Sequence, residues 1–296
     1  MCQRTPFMVI IACIGFLLNC CLLPVSLEAQ LRRGDRLLYR ITITFNPPAY
    51  LVTEKIYQLT VLQTSKHEAT IACTLLHAND STRLKTGQYH FVSSDPSTWH
   101  AWSTETASQM ALLYHPVILT VRNNDSIVNT QGITAIVEAA RLRWSLPPEV
   151  AADLRWRIPV QLTADMEKLF RCLPAKMEAG YQWYQGFDSC RVEVVTPETV
   201  SIYRFPGFPN PDGSSYRESS VYTLLRNKGV VDKLVDTLIL EVEDPQTKQP
   251  FVSTSTTNIQ LLPVDTQVPV TDTARFNAQV WRGAWQQITP SAVPKK

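Results

Sequence analysis

The chain has 296 residues, of which 45% are hydrophobic and 18% charged. That balance supports a buried core and excludes global disorder, and the length fits one large domain or two modest ones. With 28 Lys+Arg against 26 Asp+Glu, the net charge of +2 is too small for a nucleic-acid footprint, so no nucleic-acid partner is expected.

Residues 1–29 read as a Sec-type signal peptide. Arg4 gives the basic start, Phe7 to Val25 is nearly all apolar, and Ala29 supplies the small residue before Gln30. Two alternatives stay open: an uncleaved anchor, since the run approaches a bilayer span, and a lipid anchor at Cys13 behind Ile10-Ile11-Ala12. The expectation is an exported protein, periplasmic or secreted, that meets a membrane only through that segment or a lipid. Cys2, Cys13, Cys20 and Cys21 fall in the leader, which leaves Cys73, Cys172 and Cys190. Three cysteines allow at most one internal disulfide, and Cys172–Cys190 is the expected pair because the segment between them can fold back as a loop. Cys73 alternates with Ile71 and Leu75 and reads as a small buried hydrophobe.

Strands come first. Leu37, Tyr39, Ile41, Ile43 and Phe45 alternate with more polar neighbours, the period of a half-buried strand. Tyr57-Leu59-Val61, Ile71-Cys73-Leu75, Tyr89-Phe91 and Val117 to Val121 continue the pattern, and Asn123 to Ser126 is a turn. Short polar gaps between strands mean antiparallel pairing. The period then changes: Ile133, Ile136, Val137, Ala140 and Trp144 form one helical stripe that ends before Pro147-Pro148. A short helical turn is expected over 149–157, and a further helix capped by Thr163 carries Met166, Leu169 and Phe170 inward. Alternation returns with Cys190-Val192-Val194, Val200-Ile202, Val221-Thr223-Leu225 and Leu238-Leu240-Val242. The turn 243–250 leads to a Thr/Ser-rich strand over 251–262 with one wet face.

The fold class is therefore α+β: two antiparallel β-rich halves separated by a helical insert. The divisions are a signal peptide (1–29), an N-terminal β half (30–130), the helical insert (131–174), a C-terminal β half (175–264) and a tail (265–296). Gly34 and Gly180 precede the first strand of each half, which makes a duplicated curved sheet one reading.

These openings, with Ile127-Val128 before Gly132 and Leu173-Pro174-Ala175-Lys176 leading to Gly180 and Trp183, resemble an uncharacterised family of exported bacterial β-rich proteins, a domain of unknown function. The resemblance spans about residues 31–262 and includes the late hairpin from Leu238 to Leu262. Tyr181 departs from it, standing where such proteins often have Asp. The resemblance implies an exported compartment and a β-rich fold, and it carries over no catalytic residue.

Common catalytic signatures are absent from the sequence: no G-x-S-x-G, H-E-x-x-H, P-loop or G-x-G-x-x-G. His67, His77, His90, His100 and His115 match no compact metal-ligand spacing, so neither metal nor cofactor is expected. Asp95, Glu105, Asp188 and Asp244 are candidate acids, but sequence cannot bring them together. Recognition has more support. Tyr181, Trp183, Tyr184 and Phe187 form an aromatic cluster, and Phe205 and Phe208 sit on a proline-rich loop. The alternative for these rings is that they plug the end of the core. Three functions follow: a non-catalytic binding or carrier module for an apolar ligand or partner surface, an envelope-associated interaction protein, or a hydrolase with an unrecognised site.

Overall fold

The computed structural model describes residues 31–46, 50–65, 67–84, 87–99, 104–122, 127–170, 173–185, 188–205, 216–243 and 250–273. Among the described residues, twelve strands form one antiparallel sheet, which three helices cover on one face.

The first half runs β1 (Arg36–Asn46), β2 (Tyr50–Thr64), β3 (Glu68–Leu84), β4 (Gly87–Val92), β5 (Val117–Arg122) and β6 (Ile127–Gln131). β3 is long enough to pair with β5 along its first part and with β4 along its last. The second half is a meander of β7 (Gln182–Gln185), β8 (Asp188–Val195), β9 (Thr199–Phe205), β10 (Tyr216–Leu225), β11 (Val230–Glu243) and β12 (Pro250–Leu262). The last strand returns to pair with the first, Ile41 opposite Ile259, so the halves join into one continuous sheet in the order β6-β5-β3-β2-β1-β12-β11-β10-β9-β8-β7. The expected α+β class holds, with two of the helices inserted between the halves and a third between β4 and β5.

Both halves open in the same way. Gly34 N donates to Val61 O (2.8 Å) and Val61 N to Asp35 O (2.9 Å); Gly180 N donates to Val192 O (2.8 Å) and Val192 N to Tyr181 O (2.9 Å). Each glycine sits at positive φ, +91° and +82°, where a side chain is strained.

Several sequence expectations shift. Thr104–Leu112 is a helix, α1, that the pattern did not signal. Thr106, Ser108 and Gln109 are buried beside Ala107, Met110 and Ala111, so it shows no apolar stripe. α2 (Ile133–Trp144) is as expected and ends at Ser145 in the left-handed conformation. The two short pieces expected after it are one helix, α3 (Pro148–Phe170), which passes through Pro159, so Thr163 is interior and not a cap. Proline costs that helix one backbone hydrogen bond, but Ala151, Leu154, Ile158, Leu162, Met166 and Leu169 keep one buried stripe across it. Burial of that stripe outweighs the single lost bond.

In the second half, a bulge between Val192 and Val194 turns Val194 to solvent, 55% exposed. On β10 the inward residues are Tyr222 and Leu224, while Val221 faces out. β11 begins at Val230, well before Leu238. The signal segment, the 123–126 turn, Asp244 and the residues from 274 onward lie outside the described residues.

Candidate functional site

The helix-covered face of the sheet changes character along a single transverse line. Directly paired residues run Phe91, Asp80, Thr53, Ile43, Thr257, Asp236, Ser220, Arg204, Cys190 and Trp183 across ten strands. Six of these ten are polar, and those six are buried. Two residues along each strand, the row Ala78, Lys55, Ile41, Ile259, Leu234, Tyr222, Ile202 and Val192 is apolar except for Lys55. Strand alternation places both rows on the same face. The expected wet Thr/Ser face of β12 contributes Thr257 and Ser253 to this buried side.

In the second half the polar row is closed on itself. Arg204 donates to Asp188 (2.7 Å), Glu218 (2.8 Å) and Ser220 (3.0 Å), and Ser220 donates to Asp236 Oδ1 (2.7 Å). Lys168 of α3 reaches down to Asp236 and donates to Thr257 Oγ1 at 3.1 Å. These groups satisfy one another and fasten α3 to β11 and β12.

In the first half the row opens into a cleft of about 630 Å³ between β1–β4 and helices α1 and α3. Ile43, Leu51, Tyr89 and Ala164 line it with apolar surface, and Lys55, Asp80, Glu105, Gln161 and Asp165 supply its polar groups. Lys55 Nζ donates to Asp165 Oδ2 at 3.1 Å, and Tyr57 Oη donates to the same oxygen at 2.9 Å. Glu105 stands 3.7 Å from Lys55 and accepts from Gln161. Gln109 Nε2 donates to Asp80 Oδ2 (2.8 Å) and to Glu105 Oε1 (3.3 Å).

Burial opposes the charge on Lys55, but the carboxylates of Asp165 and then Glu105 outweigh it and hold its pKa above the ordinary lysine value. Burial, followed by the Asp165 charge, pushes the Tyr57 hydroxyl well up. Asp80 is raised, chiefly by burial, against the opposing hydrogen bonds of Thr53 and Gln109 and the charge of Lys55. Its Oδ1, like Gln109 Oε1, has no hydrogen-bond partner.

The described residues among those singled out from sequence fall on both faces of the sheet. Tyr181 and Trp183 stack with centroids 5.7 Å apart and pack against the core. Tyr184 points to the opposite face and is 81% exposed. Phe205 lies on that outer face too, tilted against Tyr203 at 4.1 Å. Phe187, Phe208 and Cys172 lie outside the described residues, so the Cys172–Cys190 pairing is not described; Cys190 is buried on β8. Cys73 is a buried thiol with Sγ 3.7 Å from Met166 Sδ. Of the candidate acids that are described, Asp95 caps a 3₁₀ turn, Asp188 is tied to Arg204, and Glu105 lines the cleft. Lys55, Asp80, Gln109 and Asp165 were not singled out, although a lysine within the alternating run Thr53, Lys55, Tyr57, Leu59 is a signal that an inward position is charged.

No protein-family model and no curated protein matches the chain. Solved structures similar to it include the following three. One, described as lipid–protein interactions in lipovitellin, is 13% identical with a TM-score of 0.47, over 81% of this chain and 27% of that one. A DUF1329 family protein from Desulfovibrio piger is 8% identical with a TM-score of 0.22, over 82% and 90%. A protein domain from Vibrio parahaemolyticus described as outer membrane lipoprotein-sorting is 8% identical with a TM-score of 0.21, over 86% and 94%. The chain thus spans about a quarter of the lipovitellin chain, and at these TM-scores the likenesses carry no functional weight.

Proposed function

We propose that this protein is an exported, non-catalytic binding or carrier module that receives an apolar or amphipathic small molecule between its sheet and its helices. The cleft carries the reading: its volume of about 630 Å³ falls within the range of small-molecule sites, and its lining is mostly apolar with a few convergent polar groups. Among the described residues no helix is long and apolar enough to cross a membrane. The test is native mass spectrometry of protein purified gently from its own envelope, before and after denaturation. A mass excess that disappears on denaturation, and that Leu51→Arg abolishes, is the expected result. Bare protein in every preparation counts against the carrier reading.

One observation favours a hydrolase instead. The Asp80 and Glu105 carboxylates are bridged by a single Gln109 nitrogen, and burial raises the Asp80 pKa as a general acid requires. That reading requires turnover of a chromogenic glycoside or ester that Asp80→Asn and Glu105→Gln both abolish. No turnover by the wild type across such a panel removes it.

A further inference from the structure

Beyond β12 the chain continues as a strap, 263–273, laid on the helix-free face of the sheet. Val268 packs on Leu38, Ile56 and Leu262, which strand alternation places on that face. Three residues later Thr271 is buried: its N donates to Tyr114 Oη (2.7 Å) and its Oγ1 to Ser93 Oγ (3.3 Å). Among the described residues the strap adds no strand to the sheet, so these side-chain contacts hold it down. Between the two contacts lies His77, opposite Ile56 in the ladder and 5% exposed. Its Nδ1 is 3.2 Å from Ser93 Oγ. Ser93 Oγ also accepts from Ala78 N (3.1 Å) and from Thr271. A hydroxyl has two acceptor sites and one hydrogen, so Ser93 gives its hydrogen to His77 Nδ1, and the ring is neutral. A protonated ring turns Nδ1 into a third donor to an oxygen that can accept two. Ser93 N also donates to Ala78 O (2.8 Å), which keeps Ser93 and Ala78 together and leaves Thr271 as the partner that departs. The nearby charges are few. Glu54 of β2 favours the charged ring, and Arg40 of β1 lies 3.6 Å from that carboxylate. Asp95 is turned to Ser97, and the strap's own Asp265 and Asp272 are exposed. Burial outweighs Glu54 and lowers the His77 pKa from the ordinary 6.5.

We propose that Thr271, Ser93 and His77 form a pH-sensitive latch: a neutral His77 holds the strap on the sheet, and protonation of His77 releases it and uncovers Leu38, Ile56 and Leu262. Release lets the ring regain its ordinary 6.5, so the strap is fully held above that pH and loosens as the pH falls from 6.5 toward the lowered value.

Amide hydrogen exchange of the full protein, expressed as protection relative to the free peptide at each pH, reads the strap directly. From about pH 8 to about pH 5, protection of 263–273 is expected to fall about tenfold, the size of one lost hydrogen bond, while β12 keeps its protection. His77→Gln offers Ser93 an acceptor that does not titrate, and its strap is expected to stay protected across the same range. Thr271→Val is expected to bring strap protection at the higher pH down to the acid level of the wild type. A strap whose protection does not change with pH in the wild type overturns the latch, whether or not either variant folds. Equal loss in β12 also overturns it, because the whole sheet is then opening. So does a pH dependence that survives in His77→Gln, which would assign the proton to another group.

Discussion

Lys55 on β2 and Asp165 on α3, 110 residues apart in sequence, meet with Nζ 3.1 Å from Oδ2 and side chains only 6% and 7% exposed. One turn further along α3, Lys168 meets Asp236 of β11. α3 therefore receives a cation from the first half of the sheet and gives one to the second. These reciprocal ion pairs fix the helix over both halves and set the depth of the cleft beside it.

Removing one partner of the first pair leaves a buried charge uncompensated. Asp165→Asn and Lys55→Met are each expected to cost about 3–5 kcal/mol, and the double replacement Lys55→Met/Asp165→Leu less than the sum of the two single losses. Denaturant titration of the four proteins gives the coupling. Losses that simply add would show that the two side chains do not act as a pair.

Asp80 acts on stability in the opposite direction. Its pKa is raised in the folded chain from the ordinary 3.8, so the native state holds its proton more tightly than the unfolded state does. Stability therefore falls as pH rises through the interval from about 3.8 to the folded value, and the loss persists above it. Asp80→Asn is expected to raise the melting temperature at pH 7, and that gain should shrink as the pH falls from the folded value toward 3.8 and be lost below it. A variant less stable than the wild type at pH 7 contradicts this.

Gly34→Ala and Gly180→Ala test the matching turns of the two halves. At each position a Cβ would meet nothing within 4 Å, so the expected cost, about 1 kcal/mol each, comes from the backbone alone. The two turns open different strand pairs, so the double variant is expected to lose the sum. Unfolding midpoints of the three variants measure it.

The aromatic residues of β7 are expected to separate by face. Trp183→Ala removes a ring packed on the core and should cost about 2 kcal/mol. Tyr184→Ser, on the exposed face, should stay within about 0.5 kcal/mol of wild type. Equal losses would mean that Tyr184 is covered by something in solution.

Much of the architecture was legible because strand and helix periods are local properties. Tyr39 and Ile41 on β1, Cys73 on β3 and Val137 on α2 are buried where their alternation or stripe puts them. The continuous stripe from Ala151 to Leu169 was also present in the sequence, but Pro159 reads as a break when tertiary burial is unknown. α1 gave no signal because its buried residues run consecutively and mix polar Thr106, Ser108 and Gln109 with Ala107, Met110 and Ala111, and a helix buried on several sides needs no stripe. Val194 and Val221 were misassigned for one reason: the side-chain period of a strand is two, so a bulge or a one-residue error in phase reverses the face.

The sequence by itself determined the class, an antiparallel α+β chain with a helical insert between two β-rich halves, because patterning within ten or so residues decides each element. Only the tertiary structure decided that β12 returns to β1, and that Asp80, Lys55, Glu105 and Asp165 converge on one cleft. Those four come from β3, β2, α1 and α3, and their chemistry depends on distances across the fold that no local pattern encodes.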